Sequence, residues 1–359
     1  MIHVTKTFLP KQEDYNALLK RSWDTQWITN RGDLVKELES KIKETFNIPY
    51  MIATTNGTLP LQIAIKALGL TGEIITTPFS YIATSSVIAW EGCKPVFADI
   101  DPETFNIDPS KIEAQITAKT SGIIATHVFG NPCDIEAMDK IAQKYNIKVI
   151  YDAAHCFGVE YKGKSVFNYG DVSTCSFHAT KIFHTGEGGA MFTKDLELFE
   201  TLYYKHNFGH NGPEEFHGLG INAKMSELQA AMGLAVFPHF NEILKRRHQL
   251  YNVYIENLKV SDQLQFQKIR EYTAYNCAYF PVVFLSEDIL DLVKNVLNGE
   301  SIFPRRYFYP SLNTVSYLNG ESMPISESLS KRILCLPLYF DLKEDDVLQI
   351  CRLIHKSLN

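Results

Sequence analysis

The stretch "SGIIATHVFGNPCDIEAMDKIAQKYNIKVIYDAAH", residues 121–155, decides how this chain folds. It opens on a short apolar run, 121–129, and closes on another, 148–155. Between them, 134–146 carries apolar residues at helical spacing. Two strands joined through a helix pair in parallel, because a crossover of that length is no hairpin. The same alternation extends towards the N-terminus. Strand-like runs at 50–55, 73–79 and 94–100 are separated by helical patterns over 59–70 and 80–92, and a further amphipathic helix is expected over 33–46. Towards the C-terminus, "STCSFHA" (173–179) and "GAMFTKD" (189–195) flank a turn. The expected fold class is therefore α/β, a mostly parallel sheet with helices on both faces. In such sheets the ligand lies at the carboxyl ends of the strands.

From residue 226 a long amphipathic pattern runs to about 258, and Pro238 should kink or divide it. Beyond it come strand 278–285, helix 288–298 and a last helix over 343–358, a smaller α+β domain. The expected division is 1–245 for a large α/β domain with an N-terminal arm, which holds the ligand-binding strand ends, and 246–359 for the small one. A chain of 359 residues suits two domains. With 45% hydrophobic and 21% charged residues it has the composition of an ordinary globular protein. A net charge of −6 offers no basic field for nucleic acid. The seven cysteines, at 93, 133, 156, 175, 277, 335 and 351, form no C-x-x-C pair and suggest reduced thiols and a cytoplasmic setting. No apolar run is long enough to span a membrane, and the N-terminus lacks a secretion-signal core.

Chemistry gathers just after the strands. Asn56-Gly57-Thr58 ends one strand and opens a helix, where free N–H groups and a hydroxyl suit a phosphate. Asp152 ends another strand, and His155 lies three residues on. Ser176 and Lys181 stand five residues apart, ahead of a turn with glycines at 186, 188 and 189. Each feature alone has a plain reading: a helix cap, a structural carboxylate, a satisfied histidine, a surface lysine. Together, in this chain order on an α/β scaffold, they are what pyridoxal 5'-phosphate (PLP) requires. A lysine holds its aldehyde covalently, a carboxylate keeps its ring nitrogen protonated, and a helix start holds its phosphate.

The runs "NGTLPLQIAIKALGL", "TTPFSYIATSSVIAWEGCKPVFADID", "ATHVFGNPCDIEAM", "VIYDAAHCFG", "SFHATKIFHTGEGGAMFT", "GINAKMSELQAAMGL" and "LCLPLY" resemble, in order, the DegT/DnrJ-type nucleotide-sugar aminotransferases. The similarity covers roughly 25–355. It implies the PLP-dependent aminotransferase fold (fold type I) and the following roles. Lys181 carries the cofactor and later moves the proton. Asp152 pairs with the ring nitrogen, and His155 stands near the ring 3-oxygen. Gly57, Thr58 and Ser176 bind the phosphate, and Tyr81 stacks on the ring. Asn222 reaches the phosphate of the other subunit, in a homodimer with shared active sites. Where the family usually has an aromatic and an arginine after this asparagine, Ala223 and Lys224 follow here.

The resemblance implies L-glutamate as amino donor and a TDP- or UDP-linked 4-keto-6-deoxyhexose as acceptor. The implied product is a 4-amino-4,6-dideoxy sugar such as viosamine, destined for a glycan such as O-antigen. Trp27, Asn30 and Arg31 resemble a segment lining the sugar pocket, and Arg305, Arg306, Tyr307 and Tyr309 sit in a loop expected near the diphosphate. "GEGG" after the lysine resembles members that aminate position 4; amination at position 3 is the alternative, and a non-catalytic PLP-binding regulator another. Lys181 argues against the related 3-dehydratases, which have histidine there. A dinucleotide dehydrogenase is excluded by the lack of G-x-G-x-x-G after the first strand.

Overall fold

A computed structural model describes residues 1–358. Its centre is a seven-stranded sheet of β1 (Tyr50–Thr54), β2 (Glu73–Thr76), β3 (Lys94–Phe97), β4 (Thr120–Thr126), β5 (Lys148–Asp152), β6 (Val172–Ser176) and β7 (Gly189–Thr193), in the order β1-β7-β6-β5-β4-β2-β3. Within it β7 alone runs against its neighbours. Alternate side chains serve opposite faces. Met51, Ile123 and Val149 pack with Leu34, Leu38 and Ile42 of α2 (Asp33–Phe46). Ile52, Ile124 and Ile150 pack on the other face with Leu61 of α3 (Leu59–Ala67), Val87 of α4 (Ile82–Trp90) and Leu202 of α6 (Leu196–His206). Between β4 and β5 lies α5 (Ile135–Tyr145), capped by Asp134, whose carboxylate accepts from Ala137 N–H at 3.1 Å. The strand–helix–strand unit of 121–155 is thus present, each strand ending three residues before its apolar run does.

The pattern after residue 226 divides as expected. A Ser226/Gln229 capping box starts α7 (Glu227–Val236), a turn of 3₁₀ helix at Phe237–His239 holds Pro238, and α8 (Phe240–Leu258) follows. Phe240 and Ile243 of α8 belong to the large core, whereas Leu250, Tyr254 and Leu258 belong to the small one. Residue 245 therefore falls inside a helix that both cores share. The small domain is an antiparallel sheet of β8 (Leu264–Phe266), β9 (Phe280–Phe284) and β10 (Ile333–Leu336), covered by α9 (Glu287–Gly299) and α11 (Glu344–Leu358). The N-terminal strand Ile2–His3 pairs with Ile302–Phe303, so the arm reaches this domain too. Helix α1 (Gln12–Thr25), which the sequence pattern did not reveal, packs beside α7.

One buried carboxylate joins the domains. Asp99, just past β3, accepts from the N–H groups of Ile325 and Ser326, both at 2.9 Å, at the start of α10 (Pro324–Arg332). The carboxylate satisfies orphan donors and meets the positive end of the helix dipole. Asp99→Ala leaves those donors buried and unpaired. It should cost about 1–2 kcal/mol and lower the urea midpoint of unfolding; an unchanged midpoint would contradict this account of the joint.

Candidate active site

The carboxyl ends of β1, β5 and β6 border a cavity of about 270 Å³. Gly57, Thr58, Tyr81, Asp152, His155, Ser176, Lys181 and Arg305 all line it. The reversed β7 explains how the lysine turn gets there. Its first residue, Gly189, pairs with Ser176 of β6 and Thr54 of β1, so the chain enters the sheet where its parallel neighbours leave it.

Asp152 is buried and accepts from the Thr84 hydroxyl at 2.6 Å and from Ala154 N–H at 3.1 Å. Because Thr84 spends its hydrogen on the carboxylate, Ser80 donates to Thr84 at 2.7 Å and Thr126 to Ser80 at 2.8 Å. Burial pushes the carboxyl above the usual range; the Thr84 hydroxyl, Ala154 N–H and the Lys181 ammonium oppose that. A cationic partner in the cavity would therefore be strongly favoured. His155 accepts from Phe129 N–H at Nδ1 (3.2 Å), so its neutral ring carries the proton on Nε2. Burial, then the nearby Lys181 charge, hold it well below the ordinary histidine value. Lys181 is half-buried, and desolvation lowers its amine from the ordinary lysine value, while Tyr307, Asp152, Cys175 and Tyr81 oppose the shift.

Ahead of α3, the side-chain cap comes from Asn56 rather than from Thr58. Asn56 Oδ1 accepts from Thr58 and Leu59 N–H, both at 2.9 Å. The exposed Thr58 and the Ser176 hydroxyl border the same space. Gly57 is required by packing: a Cβ there would come within 2.7 Å of Ser176 Cβ. A buried carboxylate awaiting a cation, a neutral imidazole, a lysine amine and two hydroxyls beside a glycine cradle fit PLP. Tyr81, 55% exposed, sits on the lip.

Other expected residues stand apart from this cavity. Trp27, Asn30 and Arg31 line a separate cleft with Tyr203 and Glu227. Arg31 donates to the buried Glu39 at 3.0 and 2.7 Å, so two of its N–H groups serve the fold. Asn222 is exposed and pairs with Asn207. Arg306 bonds Glu287 at 2.7 Å and lies 3.8 Å over the ring of Tyr309, neither of them bordering the cavity. Of the same loop, Tyr307 does border the cavity beside Arg305, and the structure adds Thr84, His178, Glu187 and Tyr279. His178 and Glu187 approach to 3.6 Å at the cavity wall. The Ser and Thr spacing of "SYIATSS" was the visible signal for Ser80 and Thr84: two hydroxyls four residues apart at the start of an apolar helix have to find partners.

Fold and site together define an aminotransferase of the kind that binds PLP through a lysine. The chain belongs to the DegT/DnrJ/EryC1/StrS aminotransferase family, whose model matches residues 10–355, and it is a PLP-dependent enzyme. It is 41% identical to a dTDP-4-amino-4,6-dideoxy-D-glucose transaminase of Shigella dysenteriae over 96% of this chain and 95% of that one. A protein of the same name from Escherichia coli is 36% identical over 98% of each chain. The structure of DesI in the presence of its TDP-sugar product superimposes with a TM-score of 0.94 at 33% identity, covering 99% of this chain and 92% of that one. The expected aminotransferase fold is thereby established.

Gly57→Ala should push the Ser176 strand away from the helix start. Affinity for PLP should fall about tenfold or more, the loss of about one charge-assisted hydrogen bond, while pyridoxal without its phosphate binds as before. Equal weakening of both ligands would contradict the cradle assignment.

Proposed function

We propose that this protein transfers the amino group of L-glutamate to C-4 of a TDP-linked 4-keto-6-deoxyhexose, giving TDP-4-amino-4,6-dideoxyglucose, the viosamine sugar. The observation that carries the reading is Lys181, Asp152 and His155 around one cavity, in a chain with two relatives named for that product. Bound PLP supplies an electron sink for the bond broken at the donor's α-carbon. Lys181 Nζ, its basicity lowered by burial, takes that proton and returns it, as general base and then acid. Asp152 keeps a proton on the ring nitrogen and is itself held by Thr84 and Ala154. His155 offers Nε2–H to an oxygen in the cavity. Gly57, Thr58 and Ser176 hold the phosphate, and the Tyr81 ring covers one side. Arg305, 4.5 Å from the ring of Tyr307, offers its guanidinium to a carboxylate or diphosphate.

The same reading makes the protein a homodimer. Asn222, Trp27, Asn30 and Arg31 lie outside their own protomer's Lys181 cavity, near exposed apolar side chains such as Trp23 and Phe208. A second copy covering this face would bring them to the partner's site. Arg306, held by Glu287, and Tyr309 flank Arg305 and Tyr307 in the same loop, outside the Lys181 cavity. Seven free, buried cysteines suit a cytoplasmic enzyme whose product feeds glycan assembly. Among the described residues no helix is long and apolar enough to cross a membrane.

Incubation with glutamate, PLP and TDP-4-keto-6-deoxyglucose, followed by NMR of the product, should show an equatorial amine at C-4. Lys181→Ala should yield none. An amine at C-3, or turnover by the Lys181→Ala protein at the wild-type rate, would contradict the proposal.

A further inference from the structure

Tyr279 lies against the Lys181 amine. Its hydroxyl is 3.3 Å from Lys181 Nζ, and the Nζ is 5.8 Å from its ring centroid. The tyrosine is 6% exposed, with its ring against His155 (4.8 Å), Phe129 (5.4 Å) and Tyr307 (5.5 Å). Its backbone is equally fixed. Asn276, three residues earlier, donates to the carbonyls of His155 (2.8 Å) and Phe157 (3.0 Å). The buried Arg247 donates to the carbonyls of Cys277 (3.0 Å) and Ala278 (2.6 Å). The segment that leads into β9 of the small domain is thus clamped to the large domain beside His155, and it carries a phenol to the lysine.

We propose that Tyr279 is a positioning residue for Lys181: its hydroxyl holds the amine in the cavity whenever that amine is not covalently engaged. The proposal rests on Lys181 being the reactive amine of the site. A lysine released from a covalent bond is a flexible four-carbon stem, and the proton transfer needs its nitrogen in one place. A phenol suits both of its states, accepting from the ammonium and donating to the neutral amine. A carboxylate would hold only the ammonium, and an apolar side chain neither. Burial pushes the Tyr279 phenol upward, so it stays protonated and forms no ion pair that would trap the lysine. The other titratable groups facing Nζ are Asp152 from β5, Cys175 from β6, Tyr81 ahead of α4, Tyr307 from the small domain, and His155. Tyr279→Phe leaves all of them in place and keeps the ring packing.

The direct test labels the cofactor-free protein with acetic anhydride across a pH series and follows the Lys181 peptide by mass spectrometry. Removing the hydroxyl takes an acceptor from the ammonium and a donor from the neutral amine. The charge-assisted bond is roughly twice as strong, so the ammonium loses more. The labelling midpoint of Tyr279→Phe should therefore fall by about one pH unit. A midpoint that coincides with the wild type, or rises, overturns the proposal. This arm uses neither cofactor nor substrate, so it stands or falls separately from the transaminase reading. In the loaded enzyme, Tyr279→Phe should slow the glutamate half-reaction about tenfold. It should also raise the isotope effect of glutamate deuterated at the α-carbon, with KM within about twofold. Slower turnover with an unchanged isotope effect would mean a purely structural tyrosine and would also overturn it.

Discussion

Strand β7 runs against β1 and β6, and its first residue has no room for a side chain: a Cβ on Gly189 would stand 2.4 Å from the Asn56 carbonyl oxygen. That close approach is the constraint on which the site depends. The reversal brings the chain back to the carboxyl ends of its neighbours, and the glycine lets the lysine turn close on the Asn56–Thr58 turn. Gly57, far in sequence from Ser176 and Lys181, then shares one cavity with them and with Asp152. Gln229 reinforces the junction by donating to the carbonyls of both Thr55 (3.0 Å) and Glu187 (2.7 Å).

The cavity's electrostatics follow from burial more than from ion pairing. Asp152 is held by hydroxyl and amide donors, with the nearest cation, Lys181, acting at a distance. Its charge is therefore available to a ligand. His155 is kept neutral by the same burial, with its tautomer set by a backbone donor. Lys181 is lowered towards the range in which an amine can both take and give a proton. Neutral or singly charged groups around one pocket allow a cationic ring to be bound without a large competing pair.

Much of this was legible in the sequence because it obeys local rules. The amphipathic pattern at 33–46 became α2, and Pro238 divided the long helix where proline cannot donate. The strand-end positions of Asp152 and Ser176 followed from strand periodicity and the rule for α/β sheets. What stayed hidden was set by tertiary contact. Nothing in "NCAYFPV" marks Tyr279 as a neighbour of Lys181, because 98 residues and a domain boundary separate them. Arg31 reads as a free cation until Glu39 is found buried beside it. Helix α8 carries one continuous amphipathic pattern although it serves two cores, so the pattern alone does not show which of its residues belong to which.

The most direct test of the account is the identity of the residue that carries the cofactor. PLP-loaded protein reduced with borohydride, digested and analysed by mass spectrometry should show the reduced pyridoxyl label on the peptide containing Lys181. A label on any other lysine, or no label at all, would contradict the assignment of this cavity and everything derived from it.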